Sequence, residues 1–381
     1  MKTSASLYVH IPFCDSFCDY CDFYSVNAKN LNEDYIESFI TALINDINFQ
    51  IEYFDINEIP TAYIGGGTPS VLGVKISRLF NALKNLPFFS PEEFTVEANP
   101  ESITEEFLSL CRLGGVNRLS LGVQTFHEPS RLSVNRKGNA YFLEKRLNLA
   151  GQYFPGSKTG ADLSLDLMTG LPYQDEKIIM EDINRIRARN PSHISLYSLT
   201  VEKNTALEEK INAKKIILPD RDKSDSLWLF GREVLVNEGY NHYEVSNFAV
   251  DGKQCLHNTR YWQMKNWIGA GPSASGTLIN EETAQAKRFT YAHDVGVYIK
   301  TPLITSAHRE NIDKTSLLKD VILMGYRRKE GPDRELFKKR FGRSPEECIP
   351  ETLERWKGKD IMLFLNSFLH DAFMEIEILT Y

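Results

Sequence analysis

No stretch of the 381-residue chain approaches the ~18 uninterrupted apolar residues of a membrane-spanning helix. The opening "MKTSASLYVHIPF" turns polar too early for a secretory signal, so the expectation is a cytoplasmic protein without an integral membrane span. Positive charge is not in excess: the formal net charge is −7, which argues against a nucleic-acid partner. Cysteine is scarce, and six in so long a chain cannot make a disulfide framework. Solenoid-type repeats and low-complexity tracts are also missing.

What is present is ample material for a core, with 42% apolar and 25% charged residues. The first two hundred residues alternate between two hydrophobic periods. "SLYVHI", "TAYIGGG", "EFTVEANP", "NRLSLGVQTF", "ADLSLDLMTGLP" and "SHISLYSL" read as strands, with helical segments between them. The first such segment carries Tyr35, Phe39, Leu43, Ile47 and Ile51 at steps of four, one face of a helix. Six strand–helix units in a row imply parallel strands with right-handed crossovers. The fold class expected is α/β, a partial (β/α)6 barrel of the TIM type. Its rival, a doubly wound sheet, usually opens its first helix with G-x-G-x-x-G, which this chain lacks. A barrel domain is expected over residues 1–305, followed by a smaller, mainly helical, winged-helix-like domain over 306–381.

In parallel barrels the C-terminal tips of the strands gather into one mouth. Here those tips are polar one after another: Gly65, Gly66, Gly67 and Thr68 after the second strand, Glu97 after the third, Gln124 after the fourth, and Asp166 on the fifth. Each alone has an ordinary explanation, a helix cap for the carboxylates and a turn for the glycines. Their recurrence at successive tips points to a shared ligand site.

The first strand ends in "CDSFCDYC", which puts Cys14, Cys18 and Cys21 within eight residues. A structural zinc site wants four ligands and no second C-x-x-C is present, so His10 or Cys255 would have to complete it. A redox C-x-x-C at Cys18 and Cys21 would leave Cys14 unexplained. A 4Fe–4S cluster on three thiolates accounts for all of them and leaves one iron open to a small chelating ligand. The remaining cysteines, Cys111, Cys255 and Cys348, are scattered and read as buried apolar side chains.

C-x-x-x-C-x-x-C at the end of a first strand, before a run of βα units, resembles the radical S-adenosylmethionine superfamily. There the open iron chelates the amino and carboxylate groups of S-adenosylmethionine, whose reductive cleavage gives a 5′-deoxyadenosyl radical. "LYVHIPFC", "YIGGGTPS", "VEANPE", "LSLGVQTF", "LDLMTGLP" and "HNTRYW" resemble the oxygen-independent coproporphyrinogen III oxidase-like branch, over nearly the whole chain. The resemblance implies that Cys14, Cys18 and Cys21 ligate the cluster. It also implies that Tyr8, Gly66, Gly67, Thr68, Glu97, Gln124, Arg136 and Asp166 contact S-adenosylmethionine. Within the branch the oxidase carries a further cysteine two residues after the third. This chain has Phe23 in that cofactor-binding position, as in the haem chaperones. His257-Asn258-Thr259-Arg260-Tyr261-Trp262 likewise matches the H-N-x-x-Y-W of the chaperones. The implied function is binding of haem near His257 and its delivery to an acceptor protein, such as a respiratory one. A flavodoxin or ferredoxin would supply electrons. The alternative is the oxidase reaction itself, decarboxylation of coproporphyrinogen III. One departure from the family is Gly138, which stands where a histidine is common after Arg136.

Taken from its residues alone, "HNTRYWQMKNW" offers aromatic walls, a cation and a histidine, the parts a porphyrin site needs, but equally a packed aromatic core. "RRKEGPDRELFKKRFGR" has eight basic and three acidic side chains, and the interruptions favour a solvated helical face. The apolar "MLFLNSFLHDAFMEIEIL" should dock on the rest of the chain or on an acceptor.

Overall fold

The computed structural model describes residues 3–156 and 162–379. Six strand–helix units open the chain. The strands are β1 Ser6–Ile11, β2 Thr61–Gly66, β3 Glu93–Ala98, β4 Arg118–Gln124, β5 Asp162–Thr169 and β6 His193–Ser198. The principal helices after them are α1 Glu33–Tyr53, α2 Ile76–Lys84, α3 Glu105–Leu113, α4 Ala140–Tyr153, α5 Glu176–Arg187 and α6 Arg221–Asn237.

Short side chains define where these helices start. Asn32, Thr104, Asn139, Asp175 and Asp220 each accept an amide hydrogen bond two or three residues into the helix that follows. The four-residue stripe of α1 faces inward as its period dictates, with Phe39, Leu43 and Ile47 no more than 2% exposed.

Beyond α6 come β7 Asn241–Glu244, β8 Asn247–Ala249, α7 Leu256–Trp262, β9 Trp267–Ala270, β10 Ser275–Asn280, β11 Gln285–Thr290 and β12 His308–Ile312. Three further helices follow, α8 Lys314–Gly325, α9 Arg334–Phe341 and α10 Leu365–Leu379. All twelve strands form one sheet in the order β7-β8-β6-β5-β4-β3-β2-β1-β9-β10-β11-β12. Strands β1 to β6 and β9 run parallel, and the flanks at both ends are antiparallel. Because β1 pairs with β9 rather than β6, the barrel stays open.

Hydrophobic burial divides in two. The larger cluster fills the space between the parallel strands and α1 to α6. A second gathers Met264, Trp267 and Ile279 with Leu317, Phe337, Phe368 and Ile376, so the C-terminal helices pack on the antiparallel flank. The apolar tail docks here: α10 buries Phe368, Leu369, Ala372 and Ile376. The basic run is only partly the solvated face its composition suggests. Lys338 and Lys339 are exposed, but Arg340 is 3% exposed and bonds Glu281 (2.8 and 2.9 Å) and the Met264 carbonyl (2.7 Å). Among the described residues no helix is long and apolar enough to cross a membrane.

Candidate functional site

The polar strand tips and the cysteine loop meet at one end of the sheet. After β2 the chain folds back under the loop: the Gly67 amide donates to the Ile11 carbonyl and the Thr68 amide to the Phe13 carbonyl, both at 2.8 Å. A Cβ on Gly67 would sit 2.8 Å from the Phe13 carbonyl oxygen and 3.0 Å from the Cys14 sulfur, so only glycine lets these backbones touch. Gly66 has φ +106°, and a Cβ there would strike the His10 ring. That ring is held at both nitrogens. Nε2 donates to the Tyr24 carbonyl at 3.2 Å, which leaves Nδ1 to accept from the Tyr8 hydroxyl at 3.0 Å.

All three cysteines of the loop are free. The Cys14 sulfur lies 3.3 Å from the Thr68 hydroxyl, and Cys18 accepts from Arg136 Nη1 at 3.2 Å. Burial pushes the Cys14 and Cys21 thiols up, the latter to about 11. Asn99 ties the two halves together, donating to Thr68 Oγ1 (2.9 Å) and accepting from Arg136 Nη2 (2.8 Å). Arg136 also donates to the Gly122 carbonyl at the end of β4.

Further round, Glu97 accepts from the Tyr63 hydroxyl (2.6 Å) and the Gly66 amide (3.2 Å), and burial pushes its carboxyl up to about 7. Asp166 accepts weakly from the Ser120 hydroxyl (3.3 and 3.4 Å) and is also raised by burial. Neither carboxylate caps the helix that follows, the roles of Thr104 and Asp175. Gln124 adopts φ +69°, and its Oε1, like Arg136 Nε, is buried without a partner. Phe23 stands 65% exposed.

These residues suit the groups their types imply. Three free thiols in one loop provide separate corners for an iron–sulfur cluster, with a hydroxyl and a guanidinium placed to donate to sulfur. Two half-buried carboxylates and two orphaned polar atoms beside the thiols leave recognition capacity for a polar, cationic ligand.

The H-N-x-x-Y-W segment is elsewhere. It forms α7 at the starts of the strands, the opposite end from the cysteines. His257 is 1% exposed, with Nδ1 2.9 Å from the Thr61 hydroxyl and Nε2 buried without a partner. Its ring lies between Tyr63 (5.1 Å between centroids) and Tyr261 (4.8 Å). Glu93 at the start of β3 fastens the helix, accepting from the Leu256 amide (2.8 Å), the His257 amide (3.0 Å) and the Cys255 thiol (3.4 Å). Asn99, His10 and Tyr63 were not among the ligand contacts expected from sequence. Asn99 and Tyr63 carried one usable signal, being two residues from Glu97 and Gly65 and so on the same strand faces.

Fold and site together define an open (β/α) barrel with a three-thiol loop at the first strand tip. Residues 8–186 match the profile of the Radical SAM superfamily. The chain is 34% identical to the "Heme chaperone HemW" of Lactococcus lactis over 355 residues, 91% of this chain and 88% of that protein. It is 34% identical to the protein of that name from Escherichia coli, over 72% of this chain and 70% of that one. To the mitochondrial "Radical S-adenosyl methionine domain-containing protein 1" of Mus musculus it is 30% identical, over 86% of this chain and 74% of that one. In fold it matches coproporphyrinogen III oxidase (HemN) from Escherichia coli, a radical SAM enzyme, with a TM-score of 0.77 at 20% identity, over 98% of this chain and 90% of that one. The chain belongs to the HemW family of radical SAM proteins.

Proposed function

We propose that this chain is a haem chaperone that carries a 4Fe–4S cluster and S-adenosylmethionine at its strand tips and passes haem to an acceptor protein. The observation that carries the reading is Phe23: the tip site keeps the parts of a radical SAM centre, but the position where the oxidase has its further cysteine is an exposed phenyl ring. The 34% identity to HemW over most of both chains supports the same choice.

Cys14, Cys18 and Cys21 hold three irons. When bound, the cluster would supply a reducing electron to a ligand held beside it. Thr68 and Arg136 donate to the Cys14 and Cys18 sulfurs, which spreads thiolate charge and fixes the loop. Asn99 keeps both donors in register. Glu97 and Asp166 would take the ammonium or the ribose hydroxyls of S-adenosylmethionine. Gly66 and Gly67 let the backbone approach, and Tyr8 and Gln124 close the site. A flavodoxin or ferredoxin delivers the electron, and a respiratory haem protein is the acceptor. Six free thiols and an oxygen-labile cluster suit a reducing compartment such as the cytosol.

The test is anaerobic reconstitution followed by haem titration and transfer to an apoprotein. Saturable binding of one haem and its release to the apoprotein are expected. Absence of saturable binding would overturn the carrier reading.

A further inference from the structure

Resting on that reading, we infer that the haem cargo is held in a cavity of about 510 Å³ between α6, β7 and the C-terminal helices. It lies at the end of the sheet where the parallel strands start, opposite the cysteine loop.

The backbone builds the cavity by extending the sheet. The segment 327–329 runs antiparallel beside β7, with the Val245 amide donating to the Arg327 carbonyl (2.9 Å) and the Lys329 amide to the Tyr243 carbonyl (3.1 Å). Tyr326, Arg328 and Lys329 line the cavity on this side, while α6 supplies Val236 and the stretch before α10 supplies Ile361 and Met362. The volume falls within the ~300–1,000 Å³ of drug-sized ligand sites.

The lining matches an amphipathic dianion. Tyr240, Tyr326, Leu353, Ile361 and Met362 give apolar and aromatic wall. Of the charged side chains there, five are cationic and three acidic. Arg232, Arg328 and Arg334 are already paired with Asp360 (2.9 Å), Glu330 (3.1 Å) and Glu346 (2.6 Å). Lys329 and Lys359 have no carboxylate within bridging distance among the described residues. The lining thus holds two surplus positive charges, the complement of two propionates.

Haem at His257 would instead require α7 to leave its packing, since both ring nitrogens are enclosed. The motif serves the cavity indirectly. Trp262 lies beneath Arg327, whose guanidinium carbon is 5.2 Å from the indole, and Arg327 is the neighbour of the cavity-lining Arg328.

The experiment is an anaerobic haem titration of the reconstituted full chain, compared with Lys329→Glu/Lys359→Glu and with His257→Ala. Haem dimethyl ester, which lacks the propionate charges, is titrated in parallel. Both lysines are exposed, so the double variant should fold. The proposal expects the double variant to bind haem at least ~10-fold more weakly. Its ester affinity should be unchanged, and His257→Ala should stay within ~2-fold of the parent for haem. Unchanged haem affinity in the double variant would overturn the cavity assignment. So would loss of binding in a folded His257→Ala. If the parent itself binds no haem, it is the carrier reading that fails.

Discussion

At the scale of single residues, the three loop cysteines differ in how they are held, and the difference predicts how each substitution will behave. Cys18 is half-exposed and receives the Arg136 guanidinium, and Cys14 is buried under Thr68. Replacing Cys18 by alanine removes little packing, so Cys18→Ala should keep its far-ultraviolet dichroism. It should lose the visible thiolate-to-iron absorbance after anaerobic reconstitution. A full-strength spectrum would reject the ligand assignment.

Glu244 is the opposite kind of residue, a fully buried carboxyl whose pKa burial pushes up to about 7, against the opposing pull of the Ser246 amide, the Asn247 and Trp262 side chains and the Arg327 charge. The folded form therefore holds a proton that the unfolded chain has lost, between the unfolded carboxyl value and about 7. This group lowers stability as pH rises through that window. The urea midpoint of Glu244→Gln should accordingly decline less between pH 5 and 8 than the parent's. Parallel declines would mean that the carboxyl does not titrate there.

At the scale of elements, α7 shows what the sequence disclosed and what it hid. The βα alternation, the glycine tips and the cysteine loop were readable because each rests on a local rule: a period, a cap, a ligand spacing. "HNTRYW" was readable as a motif but not as a position. Its place at the starts of the strands follows from Glu93, more than 160 residues earlier, accepting the helix's first amides, which no local pattern encodes. The flank from β9 to β12 was equally hidden. Its first strand has only four residues, β11 and β12 mix charged with apolar residues, and the last strand falls where the chain otherwise reads as helical.

The Glu93 latch makes a quantitative claim. A carboxylate that serves two amides at a helix start replaces the missing cap of a seven-residue helix. Glu93→Ala should cost about 2–4 kcal/mol of stability, since it strands two buried donors. The amides of Leu256 and His257 should then exchange faster with deuterium than those of α1. Unchanged protection would show that packing alone holds α7.

At the scale of the whole molecule, the open sheet explains how one chain serves two ligands. The parallel strands gather their tips into a cofactor site. The antiparallel extensions at either edge are free to carry other surfaces, and on the β7 side the chain returns from α8 to pair with the sheet edge through Arg327 and Lys329. The two hydrophobic clusters follow this division, one under the tips and one under the C-terminal helices. Fold alone does not separate the carrier from the oxidase, since the structural match to HemN spans 98% of the chain. The difference lies in side chains, with Phe23 at the mouth.

The most direct measurement is therefore a paired anaerobic assay of the reconstituted protein, supplied with S-adenosylmethionine and a reductant. One arm receives coproporphyrinogen III and is followed for carbon dioxide release, and the other receives haem and is followed by visible absorbance. The account predicts saturable haem binding and no decarboxylation. Carbon dioxide release without saturable haem binding would contradict it.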